Sequence, residues 1–171
     1  MLCLEAVQVV GLPTAATDYV DFAGTRAVVS RRWDRYVASD GSVVRLHQED
    51  LCQALAVYPA QKYQADGGPS PGDVITLLRS LRLDDVVWLF ARALGINFLL
   101  GGTDAHAKNY AILHPDDAPP LLAPLYDIAS IYPYSPGRSQ RRLAMKIGSR
   151  YGYDEITLRH WVAQLSLSAP R

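Results

Sequence analysis

The sequence predicts an α+β fold in which helices outnumber short, local strands, and three observations carry that reading. Two helical runs follow each other in mid-chain, Asp73 to Leu81 and Asp84 to Leu100, and the second is apolar nearly all round, as befits a helix through the middle of a core. The apolar runs of strand length, Asn109 to Leu113 and Leu121 to Ala123, are brief and joined by a loop of prolines and acids that suits a hairpin. There is no internal repeat, and no regular alternation of strands with helices that would argue for a wound parallel sheet.

Taken in order, Leu2, Ala6, Val9 and Val10 recur at helical spacing until Gly11-Leu12-Pro13 stops them, so the chain opens in a short helix cut off at its front. Asp21-Phe22-Ala23-Gly24 is a turn, and Ala27 to Ser30 a buried strand leading into Arg31-Arg32-Trp33. Gln48 to Val57 is expected to be a helix with Leu51, Cys52 and Leu55 inward, closed by Pro59. Asp66-Gly67-Gly68-Pro69-Ser70-Pro71-Gly72 is a loop by composition, with a structural role. Gly101 and Gly102 end the long apolar helix. Residues 128–137 are irregular, with Tyr132 and Tyr134 as packing residues; Leu143 to Ile147 is a strand and Asp154 to Leu165 a last helix capped by Asp154.

The bulk numbers bound the function classes. A chain of 171 residues buries one ordinary core, and 49% apolar with 20% charged residues is globular composition. Equal numbers of basic and acidic residues, 17 of each, give no basic excess for nucleic acid or an acidic membrane surface. Cys3 and Cys52 stand far apart and without metal-ligand spacing, which fits a reducing cytoplasm; Glu5 interrupts what would be a signal-peptide core, and Arg92 and Asn97 interrupt the longest apolar stretch. Lysine occurs only at Lys62, Lys108 and Lys146.

One constellation carries chemistry. The apolar helix delivers the chain into Gly102-Thr103-Asp104-Ala105-His106-Ala107-Lys108-Asn109, a hairpin follows, and Asp127 stands just beyond it. Phosphoryl transfer needs a carboxylate to orient the acceptor hydroxyl and oxygen ligands for magnesium. In kinases the base Asp is followed five residues later by an Asn ligand, and a second Asp ligand comes after a hairpin; Asp104, Asn109 and Asp127 keep that order. The spacing alone is moderately specific. Outside this layout Asp104 and Asp127 are more often turn or cap residues than ligands.

The chain resembles the C-terminal region of HipA-type toxin serine/threonine kinases. The resemblance rests on Gly102 to Asn109 and on Leu122-Ala123-Pro124-Leu125-Tyr126-Asp127-Ile128. It is supported by Arg45 to Leu55, by Lys62-Tyr63 with Asp66-Gly67-Gly68-Pro69-Ser70, and by Leu143-Ala144-Met145-Lys146-Ile147, in the family's order along nearly the whole chain. It implies the C-terminal lobe of a protein-kinase-like fold. It also implies that Asp104 is the catalytic base, that Asn109 and Asp127 hold Mg²⁺, and that ATP is the phosphoryl donor. By the same resemblance Arg31 and Trp33 belong to a hinge that meets adenine through its backbone, Arg31 standing where the family more often has Glu. His106 and Lys108 lie where they reach phosphate oxygens, although a lone histidine here is also a packing residue. Gln48, Glu49 and Asp50 either serve the positive end of a helix or shape the catalytic loop.

Residues 1–27 contain neither lysine nor a Gly-rich phosphate loop, so the N-terminal lobe of such a kinase is expected on another chain, and residues 1–171 read as a lobe truncated at both ends and inactive alone. The expected partners are that lobe, a HipB-like helix-turn-helix antitoxin, and a protein substrate such as an aminoacyl-tRNA synthetase, with no direct contact to nucleic acid or membrane. Two other functions compete: a catalytically inactive remnant or binding module of a toxin–antitoxin system, and a small-molecule phosphotransferase, whose aminoglycoside-kinase-like members also place His two and Asn five residues after the Asp.

Overall fold

A computed structural model describes residues 1–134, 137 and 141–168. Among the described residues the α-helices are α1 Leu2–Val9, α2 Leu51–Ala54, α3 Pro71–Ser80, α4 Asp84–Leu100 and α5 Leu158–Ser168. The strands among the described residues are β1 Thr17–Phe22, β2 Thr25–Ser30, β3 Arg35–Val37, β4 Val43–Arg45, β5 His47–Asp50, β6 Ala111–His114, β7 Leu121–Leu122, β8 Arg142–Ile147 and β9 Arg150–Gly152. All strand pairs are antiparallel: three are two-stranded, β1–β2, β3–β4 and β8–β9, and the fourth sheet has the order β5-β6-β7. The architecture is mixed, 39% helix and 24% strand, so helix prevails by less than the sequence implies.

Helix α3 begins where a cap allows it. Ser70 Oγ accepts from the Asp73 N–H, the Asp73 carboxylate accepts from the Ser70 N–H, and Pro71 fills the first turn, two residues before the expected start. Arg82, at φ +60, turns the chain sharply into α4. That helix buries one stripe, Val87, Phe90, Ala91, Leu94 and Asn97, against a core that includes Leu51, Val74, Leu78, Ile112, Leu125 and Ile147. Trp88 and Leu99 on its other side are 43% and 69% exposed, so α4 is a core-facing helix rather than one surrounded by core. Phe98 stacks on Tyr153 at 4.8 Å and meets Trp161 edge-on at 5.4 Å, which docks α5 onto α4.

Three expectations are corrected. The helix expected over Gln48–Val57 is a strand followed by one helical turn, because β5 pairs residue for residue with β6, from His47↔His114 to Asp50↔Ala111, and only then does Asp50 cap α2. The β2 strand is open rather than buried: it forms a hairpin with β1, and Val28 is 60% exposed. Asp154 lies in a single 3₁₀ turn ahead of α5; the N–H of Thr157 donates to His160 Nδ1 at 3.0 Å at the true helix start.

Between β2 and β3, Asp34 is nearly fully buried and receives both Arg32 and Arg35. The Arg32 hydrogen bonds lower its carboxyl to about 2, against the opposing effect of burial, and Arg35 adds to the lowering. With the folded value below the unfolded one, the stabilisation is complete above the unfolded carboxyl's range and is lost as pH falls through the folded value. Thermal melts between about pH 5 and pH 2 are expected to show a steeper fall in midpoint for the native chain than for Asp34→Asn.

Candidate active site

The loop after α4 is held by its glycines. Gly101 ends the helix in the left-handed region at φ +74, and a Cβ there would come within 3.0 Å of the Tyr132 ring that covers it. A Cβ on Gly102 would meet Asn97 Oδ1 at 2.5 Å. Buried Asn97 answers from below, donating from Nδ2 to Ala93 O and Tyr110 Oη at 3.0 Å each. From this fixed start His106 N–H donates to Asp104 O at 2.8 Å, Asn109 N–H to His106 O at 2.9 Å, and residues 107–109 make one 3₁₀ turn into β6.

The turn brings the three expected carboxamide and carboxylate residues together. Asn109, almost fully buried, donates from Nδ2 to the backbone carbonyl of Asp104 at 3.2 Å and to that of Asp127 at 3.4 Å. With its amide nitrogen so engaged, its side-chain oxygen remains for a cation. Asp104 and Asp127 are both exposed, and Asp127 is held at φ +53, a conformation uncommon for a residue with a Cβ. An amide oxygen beside a solvent-facing carboxylate is a hard-oxygen donor set, which fits Mg²⁺.

The other expected residues are placed differently. Trp33 lines a cleft of about 600 Å³ together with Ser30, Arg32, Gln48, Tyr126 and Asp127. Its indole stacks on Tyr126 at 5.1 Å and donates to Gln48 Oε1 at 2.7 Å. Arg31 points elsewhere, lining a shallow hollow with Asp18 and Val29, while its N–H donates to Ala16 O at 2.8 Å; the side chain that enters the cleft is that of Arg32. His106 is buried, its ring edge-on to Tyr63 at 5.1 Å. Burial, then the Lys62 ammonium, pull its pKa below the ordinary histidine value, partly offset by Asp104. The Lys108 ammonium is bound by Asp50 Oδ2 at 2.6 Å.

Two contacts are absent from any local pattern in the sequence. The Tyr63 hydroxyl donates to Asp104 Oδ1 at 2.6 Å, a bond that, with burial, pushes the phenol up to about 12. Tyr63 is fixed by the loop behind it, where a Cβ on Gly68 would press far inside contact on the carbonyls of Gln61 and Tyr63. Asp50 combines the two roles that its position in the sequence leaves open: Oδ1 accepts from Cys52 and Gln53 N–H to cap α2, and Oδ2 holds Lys108, whose carbonyl accepts the Tyr126 hydroxyl at 2.6 Å. Two of the three lysines, Lys62 and Lys108, thus lie around this loop.

The fold and this loop together define a kinase-like C-terminal lobe. The profile of the family described as HipA-like C-terminal domain matches residues 1–170, and the chain belongs to that family. "Putative kinase Y4mE" of Sinorhizobium fredii is 41% identical over 89% of this chain and 36% of its own length. The serine/threonine-protein kinase toxin HipA of Shewanella oneidensis is 28% identical over 91% of this chain and 38% of its own. The chain therefore spans little more than a third of these relatives. Among solved structures, a complex of Shewanella oneidensis HipA, HipB and operator DNA superposes with a TM-score of 0.80, at 24% identity, over 99% of this chain and 42% of that one. Among the described residues, no helix is long and apolar enough to cross a membrane.

Proposed function

We propose that this chain is the catalytic-loop half of a HipA-type serine/threonine kinase, active in phosphoryl transfer to a protein serine when an N-terminal lobe completes it. The observation that carries the proposal is the Asn109 side chain, whose amide spans the backbones of Asp104 and Asp127. In this reading Asp104 orients the acceptor hydroxyl and takes its proton, Asn109 and Asp127 hold Mg²⁺, and the cleft floored by Trp33 and Tyr126 receives the adenine. Bound magnesium supplies neutralisation of the phosphate charge. Lys108, tied to Asp50, shapes the loop from beneath, and buried His106 supports Tyr63.

Partners follow by analogy with the family: a HipB-like antitoxin, as in the Shewanella oneidensis assembly, and a translation protein such as an aminoacyl-tRNA synthetase as substrate, all within the cytoplasm. A non-catalytic binding module is the second reading, favoured by the Tyr63 hydroxyl that engages Asp104. Calorimetric titration of Mg-ATP into the purified chain, with Asp127→Asn alongside, separates the two. Binding tighter than roughly 100 μM that disappears in the variant supports the kinase lobe. Absence of binding both to the native chain and to the chain completed by an N-terminal lobe favours the module.

A further inference from the structure

On the face of β5 and β6 that looks away from the cleft, His47, Glu49 and His114 converge. Antiparallel pairing sets His47 directly opposite His114, and Glu49, two residues along β5, shares their face. Gln48, between them, points to the other side and accepts from Trp33. One ligand atom from each of the three lies within 4.8 Å of the other two. The separations are 3.0 Å between His114 Nε2 and Glu49 Oε2 and 4.0 Å between His47 Nε2 and the same oxygen.

His114 Nε2 is buried and makes no hydrogen bond, its closeness to the Glu49 carboxylate notwithstanding. At that distance a ring nitrogen and a carboxylate oxygen need a positive charge between them, either a ring proton or a shared metal ion, and hydrogen-bond geometry is not met here. Two ligands bound to one zinc at about 2.0–2.2 Å in a tetrahedron are roughly 3.3–3.6 Å apart, so the observed spacings bracket what a shared ion requires. The His47 side chain, 69% exposed, has the freedom to close the longer gap. Two imidazoles and a carboxylate are a donor set for zinc-like transition ions and a poor one for magnesium.

We propose that His47, Glu49 and His114 form a second metal site, selective for Zn²⁺ or a similar transition ion, that staples β5 to β6. The staple joins the strand ending in Asp50, which holds Lys108, to the strand that begins two residues after Asn109. It is separate from the Asn109–Asp127 donor set in position and in chemistry, and it does not depend on the kinase reading.

Titration of the purified chain with Zn²⁺ by calorimetry, and with Co²⁺ by visible absorption, tests the site. One zinc per chain with a Kd on the order of micromolar is expected, with a cobalt d–d band and a rise of a few degrees in unfolding temperature. His47→Gln and His114→Gln are each expected to weaken zinc at least about tenfold, whereas Asp127→Asn leaves it unchanged. His47 is exposed enough that its variant folds, and circular dichroism checks the other. Failure of the native chain to bind zinc at about 100 μM, or an unchanged Kd in either histidine variant, overturns the site.

Discussion

Replacing Asp104 by Asn in the proposed kinase, once completed by an N-terminal lobe, is expected to lower phosphoryl transfer by about 10²–10⁴-fold while leaving Mg-ATP affinity within a factor of about two. Asn keeps the shape of the side chain and can still accept the Tyr63 hydroxyl, so the 2.6 Å contact and the loop survive. What it loses is the capacity to take a proton. Asp104 stands apart from the cleft that Asp127 lines, which is why nucleotide binding is spared. Asp127→Asn is expected to behave differently: it removes a full negative charge from the donor set proposed for magnesium, so affinity and rate are expected to fall together. Single-turnover transfer and calorimetry on both variants resolve the two residues. If Asp104→Asn retains the native rate, Asp104 is not the base, and its side chain serves to hold Tyr63.

Contacts that follow from local order along the chain are legible in the sequence. The loop 102–109 and Asp127 stand out because α4 is a long apolar run ending in Gly-Gly, and because the Asp-to-Asn spacing is short. Contacts set by pairing register are not legible. Nothing local in Gln48-Glu49-Asp50 marks a strand, since three polar residues before an apolar helix look like a first turn; the partner that makes them a strand, β6, lies some sixty residues away. The hairpin β1–β2 reads as one buried strand because Ala27-Val28-Val29 is apolar, although most of both its faces is open. Arg31 and Arg32 are neighbours on an extended segment, and the sequence does not reveal that Arg32 is the one facing the cleft. The zinc-type cluster is hidden for the same reason: His114 meets His47 and Glu49 only through the register of β5 on β6.

The largest stability effect around the site is expected at Asp50. Its side chain is 14% exposed and accepts three hydrogen bonds, from Cys52 N–H at 2.9 Å, Gln53 N–H at 3.0 Å and Lys108 Nζ at 2.6 Å. Asp50→Ala removes the cap of α2, worth about 1 kcal/mol. It also leaves the Lys108 ammonium, one-third exposed, without its counter-charge, for a total of about 2–3 kcal/mol. Asp50→Asn retains the cap and loses the charge pair, so it is expected to fall between Ala and native. Lys108→Ala takes away the same pair yet keeps the cap, and it should destabilise less than Asp50→Ala. Urea unfolding of the two single variants and the double variant gives a coupling energy on the order of 1 kcal/mol if the pair acts as one unit. A coupling near zero would mean that Asp50 works only as a cap and that Lys108 is free to serve the cleft. The order of the three stabilities therefore decides whether the lysine of this loop belongs to its frame or to its chemistry.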